Sequence, residues 1–222
     1  MSARALGRLG WGVFKSYAGY LLLNDKLRLD VFASGGEALG HGRLWLWTAE
    51  LYFLFYLAFS AWIDVAIALA TMTGARVPEN FRRPWAAVDV ADFWRRWHIT
   101  FGDWLRTYVY IPLGGNRRHQ VLNVLLVFLV SALWLVWGAL KILGLGGFPP
   151  SSWVGFLLWG GINAAAVIAA KWWSAPAFLP GRLARQAATF VIVALAWVPF
   201  FLPPGAGLGD CLAVFARLAF LR

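Results

Sequence analysis

The sequence predicts an all-α membrane protein, a polytopic bundle of transmembrane helices. Of its 222 residues, 61% are hydrophobic and only 14% are charged, and the mean hydropathy is +0.65. A soluble domain is closer to half apolar and about a quarter charged. Apolar runs of about 20 residues, the length that spans a bilayer, recur along the chain. Neither an internal repeat nor a soluble domain interrupts them, so we expect residues 1–222 to form a single membrane domain.

The individual elements follow from these apolar runs and the breaks between them. Segments long and apolar enough to span the bilayer are Leu44–Met72, Val121–Leu143, Trp153–Trp173 and Ala187–Leu202. Trp11–Leu23 and Leu208–Leu221 are too short to assign alone, and either lie in the interface or complete the bundle. High glycine and proline content predicts loops at Gly144–Ser152 and Ser174–Gly181.

The charge distribution excludes several functions. The net charge is +10, but the basic residues lie between apolar blocks, so we expect no nucleic-acid partner and instead a bilayer with anionic headgroups. Positive charge concentrated between the first and second spans puts that region on the cytoplasmic side; it is carried by Arg76, Arg82, Arg83, Arg95, Arg96, Arg117 and Arg118. With Cys211 as its only cysteine and no acidic or histidine cluster at metal spacing, the sequence predicts neither a metal site nor a bound cofactor.

One charged stretch is unusual for a membrane protein. On a helical wheel of Asp92–Tyr108 the aromatic residues fall on one side and the charged residues on the other. This division has two interpretations: an interfacial helix with aromatic anchors, or a helix folded into the protein that lines a polar cavity. Because an arginine at the bilayer centre is costly, we expect Phe93–Tyr108 to be a helix that does not cross the bilayer.

The same stretch, FWRRWHITFGDWLRTYVYIPLGGNRR, closely resembles the signature of the membrane-bound O-acyltransferase family. The likeness is strongest to the bacterial branch that includes alginate O-acetylase and the D-alanyl transferase of teichoic acids. It extends outward in the family's order: Tyr52–Trp85 resembles the block that contains P-E-N-F, and Val121–Gly138 and Phe156–Gly160 resemble the two following helices. Leu195–Pro204 (LAWVPFFLPP) resembles a late family segment, so the likeness covers nearly the whole chain.

This resemblance implies a multi-pass enzyme of the bacterial inner membrane. Such an enzyme takes a short acyl group from a cytoplasmic thioester donor or acyl-carrier protein and transfers it to a polysaccharide hydroxyl outside. His98 is then expected to be a catalytic residue that orients donor or acceptor. Substrate-binding or passage-lining roles are expected for Asp64, Asn80, Trp94, Arg95, Arg96, Trp97, Arg106 and Trp134. For Asp64, an interhelical hydrogen bond without a functional role is an equally good interpretation.

The sequence departs from the family at two points. The chain is shorter than family members, so we expect a truncated or reduced form. In SALWLVWGAL, Leu135 stands where the family has the histidine taken as its catalytic base, and leucine has no lone pair to accept a proton. His41 and His119 are expected to be solvated loop residues that cannot replace it. The alternative to an enzyme is therefore an inactive or truncated family member that acts as a membrane partner or remnant.

Overall fold

The computed structural model describes residues 3–26, 36–37, 39–142, 151–172, 181–202 and 206–220. Within these ranges the regular structure is helical, and a single β-bridge joins Phe81 to Trp97. The all-α prediction is therefore confirmed. The α-helices are α1 (Ala3–Lys26), α2 (His41–Met72), α3 (Val90–Trp94), α4 (Ile99–Leu105), α5 (Gln120–Ile142), α6 (Ser151–Trp172), α7 (Arg182–Trp197) and α8 (Leu208–Leu218).

The four predicted spans are confirmed. Segments long and apolar enough to cross a membrane are His41–Met72, Gln120–Trp137, Trp153–Lys171 and Arg182–Phe201. Most of the two predicted loops, residues 144–150 and 174–180, lies outside the described residues, but Ser151 and Ser152 belong to α6 rather than to a loop. Helix α7 ends just before Pro199, which has no N–H to continue the hydrogen-bond ladder, and a 3₁₀ turn follows at Pro199–Phe201.

The two segments left open by the sequence both pack against the bundle. Helix α1 runs along α2, and α8 buries Cys211 and Val214 in an apolar cluster with the beginning of α2. The end of α8 is tied to α2 by two side chains, since His41 Nδ1 lies 2.8 Å from the Arg217 carbonyl oxygen and Trp45 Nε1 donates to that of Leu218 at 2.9 Å. The prediction of a solvated loop was therefore wrong for His41, which begins α2, whereas His119 is exposed as predicted.

The prediction that Phe93–Tyr108 is one helix was also wrong. Helix α3 ends at Trp94 and α4 begins only after His98, whose φ of 46° and ψ of 52° are left-handed and cannot continue a helix. A π-helical turn follows α4. The break has a tertiary cause: the Arg82 N–H donates to the Arg96 carbonyl at 2.9 Å and the Ile99 N–H to that of Asn80 at 3.0 Å. Two segments distant in sequence therefore pair where the helix would have run.

The charged stretch lies at the level of the middle of the spans. Ring centroids of Trp94 and Phe128 are 5.4 Å apart, and Phe128 is at the centre of the Gln120–Trp137 span. Trp97 contacts Phe55, in the middle of α2, at a centroid distance of 6.0 Å. Because these contacts are made to the middle of long helices, they support the interpretation that the segment is folded into the bundle rather than lying flat on the interface.

Candidate functional site

His98 is held by the segment that carries the P-E-N-F motif. Asn80 is buried, with 3% of its surface exposed. Its side-chain oxygen Oδ1 accepts from the Thr100 backbone N–H at 3.1 Å and from the Thr100 hydroxyl at 3.0 Å, and it lies 3.1 Å from Nδ1 of His98. The amide oxygen of Asn80 therefore contacts three groups: the His98 ring, the Thr100 backbone N–H and the Thr100 hydroxyl.

This arrangement fixes the tautomer of the imidazole. A backbone N–H can only donate, so the side-chain atom of Asn80 that faces the Thr100 N–H must be its oxygen. That oxygen can only accept, so the His98 Nδ1 next to it must carry the proton. In a neutral ring the other nitrogen, Nε2, then holds the free lone pair. The site thus presents one basic nitrogen in a defined position.

Burial keeps this imidazole neutral. It lowers the pKa of His98 to about 4, so the ring is uncharged at neutral pH. The left-handed backbone at His98 adds strain, which in proteins persists where the surrounding structure enforces it and is concentrated at functional sites. Here the bonds to Asn80 supply that enforcement.

Aromatic rings surround the imidazole and connect it to the edge of the described structure. Phe59 meets His98 edge-on at a centroid distance of 4.9 Å, and Phe101 lies 5.1 Å away. Phe101 in turn contacts Trp104 at 6.1 Å and Trp134 at 5.7 Å. Trp134 is 47% exposed, so a chain of rings runs from the imidazole to an exposed indole.

Leu135 lies in apolar surroundings. It packs against the cluster that we call the aromatic cluster, namely Tyr52, Ala87, Phe93, Trp97, Trp159, Val193 and Trp197, and against a smaller cluster around Ala132 and Val136. Among the described residues, the buried indole N–H groups of Trp94, Trp159 and Trp197 have no acceptor. Leu135 itself therefore offers no lone pair for acid–base chemistry, although the cluster it packs against contains hydrogen-bond donors.

The arginines of the stretch differ in their surroundings. Nε of Arg96 lies 3.0 Å from the Asp92 carboxylate, whereas Arg95 is 65% exposed and 3.5 Å from it. Burial raises the pKa of Asp92, but the Arg96 side chain and the Val88 N–H together outweigh burial and leave the pKa below its usual value. Arg106 is exposed. Arg96 is thus engaged with Asp92, while Arg95 and Arg106 remain accessible to a partner or solvent.

Asp64 belongs to an ionic network that the sequence did not reveal. One carboxylate oxygen lies 2.8 Å from Arg8 and the other 2.6 Å from Lys15, both on α1. Arg8 also pairs with Glu79, the residue before Asn80. Asp64 is therefore satisfied between helices. The signal that could have found its partners is the seven-residue spacing of Arg8 and Lys15, which puts both cations on one face of α1.

Two surface grooves do not coincide with this site. Two open grooves among the described residues are lined by His119–Leu125 and by residues of α6 between Val154 and Ala165. Neither includes a residue that the sequence singled out as functional. The candidate site therefore rests on its hydrogen bonds and its position in the bundle.

Comparison with known proteins identifies the family. The model of the membrane-bound O-acyltransferase family matches residues 38–135, which include Asn80, His98 and Leu135. The probable alginate O-acetylase AlgI of Pseudomonas syringae pv. tomato is 37% identical over 173 residues, 72% of this chain and 29% of that protein. AlgI of Pseudomonas aeruginosa is 36% identical over 173 residues, 72% of this chain and 28% of the relative.

A relative named for a different activity also matches this chain. The peptidoglycan O-acetyltransferase of Helicobacter pylori is 33% identical over 163 residues, 70% of this chain and 28% of that protein. The chain thus spans less than a third of the length of these curated relatives. Together with the four spans, these matches show that the chain is a multi-pass bacterial membrane protein that belongs to the membrane-bound O-acyltransferase family, in its alginate O-acetylase-like branch.

Proposed function

We propose that this chain forms the core of an O-acyltransferase that transfers a short acyl group, acetyl by analogy with its relatives, to a polysaccharide hydroxyl outside the bacterial inner membrane. The observation that carries the proposal is His98, held by Asn80 in one tautomer at the middle of the spans. Relatives named for O-acetylation of alginate and of peptidoglycan support a polysaccharide acceptor.

The reaction requires two substrates from opposite sides of the membrane. The donor is an acyl thioester, free or on a carrier protein, that arrives on the cytoplasmic side, where the arginines between the first two spans face. The acceptor oxygen attacks the thioester carbonyl carbon, the C–O bond forms, and the C–S bond breaks. The hydroxyl loses its proton and the leaving thiolate gains one. A polar site within the bilayer lets both substrates reach one centre.

His98 suits the orientation of a hydroxyl better than the removal of its proton. Its Nε2 lone pair can accept a hydrogen bond from the acceptor hydroxyl and direct the oxygen toward the thioester. Because burial holds the pKa of His98 at about 4, however, the ring is a weaker base at neutral pH than an ordinary histidine. We therefore assign His98 the role of positioning the acceptor.

The residue at position 135 limits the rate of the chain as it stands. Leu135 packs against apolar groups and provides no base. General-base catalysis contributes typically about 10²–10⁴-fold, so we expect transfer to be slower by a factor in that range than with a histidine at this position. The relatives do not favour the alternative of a non-catalytic remnant, and the experiment below separates the two.

The test measures O-acetylation of cell-surface polysaccharide in cells that lack their own enzyme. The forms compared are the chain itself, its Leu135→His variant, and both forms extended with the N-terminal region of the Pseudomonas syringae relative. We expect robust transfer only from the extended Leu135→His protein, and loss of that transfer on His98→Gln. Robust transfer by the unmodified chain would overturn the role of Leu135. Absence of transfer from every folded, abundant form would favour a membrane partner instead.

A further inference from the structure

We propose that α1 is a positioning helix for His98 and that Arg8 is its positioning residue, acting through Glu79 and Asn80. The inference rests on the proposed function, since it concerns the orientation of the same imidazole. Three contacts carry it: a close approach of α1 to α2, a guanidinium that bridges α2 and the P-E-N-F segment, and the bonds from Asn80 to His98.

At Gly12, helix α1 packs so closely against α2 that a side chain would not fit between them. A Cβ added at Gly12 would lie 2.9 Å from Cγ2 of Val65 and 3.1 Å from the carbonyl oxygen of Ala61, both on α2. Helices in membranes associate through small residues of this kind, because there is no difference in hydrophobicity between lipid and side chains to drive them together. Gly10, two residues earlier, has no atom within 4 Å of an added Cβ. The contact at Gly12 therefore fixes the position of α1, and with it that of Arg8.

Lys15 already pairs with Asp64, so Arg8 is not needed merely to neutralise it. The Lys15 ammonium lies 2.6 Å from one Asp64 oxygen and donates to the Ser60 hydroxyl at 2.8 Å. Arg8 donates through Nε to the other oxygen at 2.9 Å. Its Nη2 lies 2.8 Å from the same Asp64 oxygen and also donates to Glu79, so the guanidinium bridges Asp64 to a second anion.

That second anion is Glu79. The two terminal nitrogens of Arg8 donate to its two carboxylate oxygens at 2.5 and 2.6 Å, a bidentate geometry that fixes orientation as well as distance. The pair holds the pKa of Glu79 below its usual value. Residues 75–79 form an exposed, irregular segment. The bridge to Arg8 therefore attaches the end of this segment to the helix pair.

The attachment point is covalently next to the group that orients His98. Glu79 precedes Asn80, whose backbone oxygen accepts from Ile99 and whose side chain fixes the tautomer of His98. A displacement of Glu79 by even about 1 Å therefore moves the amide oxygen out of hydrogen-bond range. The path from α1 to the imidazole consists of one ion pair, one peptide bond and one hydrogen bond.

The test observes the imidazole directly and does not depend on activity. The chain has three histidines, so side-chain ¹⁵N spectra of the full chain in lipid nanodiscs can be assigned with His41→Gln and His98→Gln. Wild-type His98 should show protonated Nδ1 and bare Nε2. Arg8→Gln should give a mixture of tautomers and roughly tenfold faster exchange of the Nδ1 proton, the effect of about 1.4 kcal/mol of local opening. Arg8→Lys keeps the positive charge but loses the bidentate contact with Glu79. Its tautomer mixture and exchange rate should therefore lie between those of the wild type and Arg8→Gln.

Matched controls separate positioning from folding. Arg4→Gln removes an exposed arginine one turn earlier, and Gly10→Leu adds a side chain where α1 is open, so both should leave the His98 spectrum unchanged. Gly12→Leu should reproduce the effect of Arg8→Gln without changing a charge. A wild-type spectrum for a folded Arg8→Gln protein, or an equal change in Arg4→Gln, would overturn the proposal. If no form transfers acyl groups, the proposed function fails while the spectra still decide the role of Arg8.

Discussion

His98 and Leu135 lie beside the same aromatic cluster but are held in place by different forces. His98 follows Trp97 and depends on directed hydrogen bonds to one amide oxygen, with a strained backbone and a neutral ring. Leu135 is half-buried and depends on contacts with carbon atoms on two sides. The resemblance to the family attaches functional importance to both positions, yet only one of them carries a group that can accept a proton.

The difference determines what each position tolerates. A hydrogen-bonded site depends on individual atoms, because a buried donor without a partner costs more than the bond contributes when it is formed. An apolar site depends on volume and shape, and similar side chains replace one another at small cost. Substitutions should therefore act at His98 through single polar atoms and at Leu135 through polarity and size.

The largest effect is expected for Asn80→Leu. The substitution removes the acceptor and leaves the Thr100 backbone N–H and the imidazole N–H unpaired, so the free energy of unfolding should fall by about 3 kcal/mol. Unfolding in mixed micelles measures this change. Asn116→Leu is the matched control: Asn116 also accepts side-chain hydrogen bonds but is exposed, so its donors can turn to water. An equal loss in both variants would contradict the special role of Asn80.

Leu135→His tests whether the surroundings of residue 135 tolerate a polar side chain. Burying an imidazole without a partner should lower the free energy of unfolding by about 2 kcal/mol. Leu135→Met keeps the volume and should cost below about 1.5 kcal/mol. If the histidine variant is as stable as the methionine variant, the ring has found a hydrogen-bond partner among the neighbouring tryptophans. The apolar description of this position would then be wrong.

The sequence predicted the spans well because hydropathy over about 20 residues is a property of the segment itself. It failed at the helix break because the cause lies elsewhere in the chain. The periodicity of Phe93–Tyr108 is that of a helix, but the backbone bonds from Arg82 and to Asn80 bend it. No local pattern around His98 records a partner 18 residues earlier.

At the candidate site, too, the sequence identified individual residues but not their contacts with distant parts of the chain. The resemblance supplied His98 and Asn80 as residues, but their hydrogen bond, which fixes the tautomer, required the structure. Arg8 and Lys15 were missed because basic residues near the beginning of a membrane protein are ordinarily taken as interfacial. Their role depends on Gly12, whose missing side chain lets α1 approach Asp64, and a glycine in an apolar helix does not by itself indicate a neighbour.

A smaller effect is expected from pH, and its sign follows from the neutral ring. The pKa of His98 is about 4 when folded, below its unfolded value of 6.5. The unfolded chain therefore binds more protons between these values, and stability falls as the pH drops below 6.5. Between pH 7 and 5.5 we expect a loss of about 1 kcal/mol. His98→Gln should lack this component. If the free energy of unfolding of His98→Gln depends on pH as it does in the wild type, titratable groups other than His98 cause the effect.

The smallest effect separates the two bonds that Thr100 makes. Thr100→Val removes the hydroxyl bond to Asn80 but keeps the backbone N–H that identifies the acceptor as an oxygen. The free energy of unfolding should fall by about 1 kcal/mol, while the ¹⁵N spectrum of His98 should retain a protonated Nδ1. Asn80→Leu, in contrast, should change both the free energy of unfolding and the ¹⁵N spectrum of His98. A shift in tautomer on Thr100→Val alone would mean that the hydroxyl, rather than the backbone N–H, orients the amide, and the defined position of Nε2 would then depend on a side chain that can rotate.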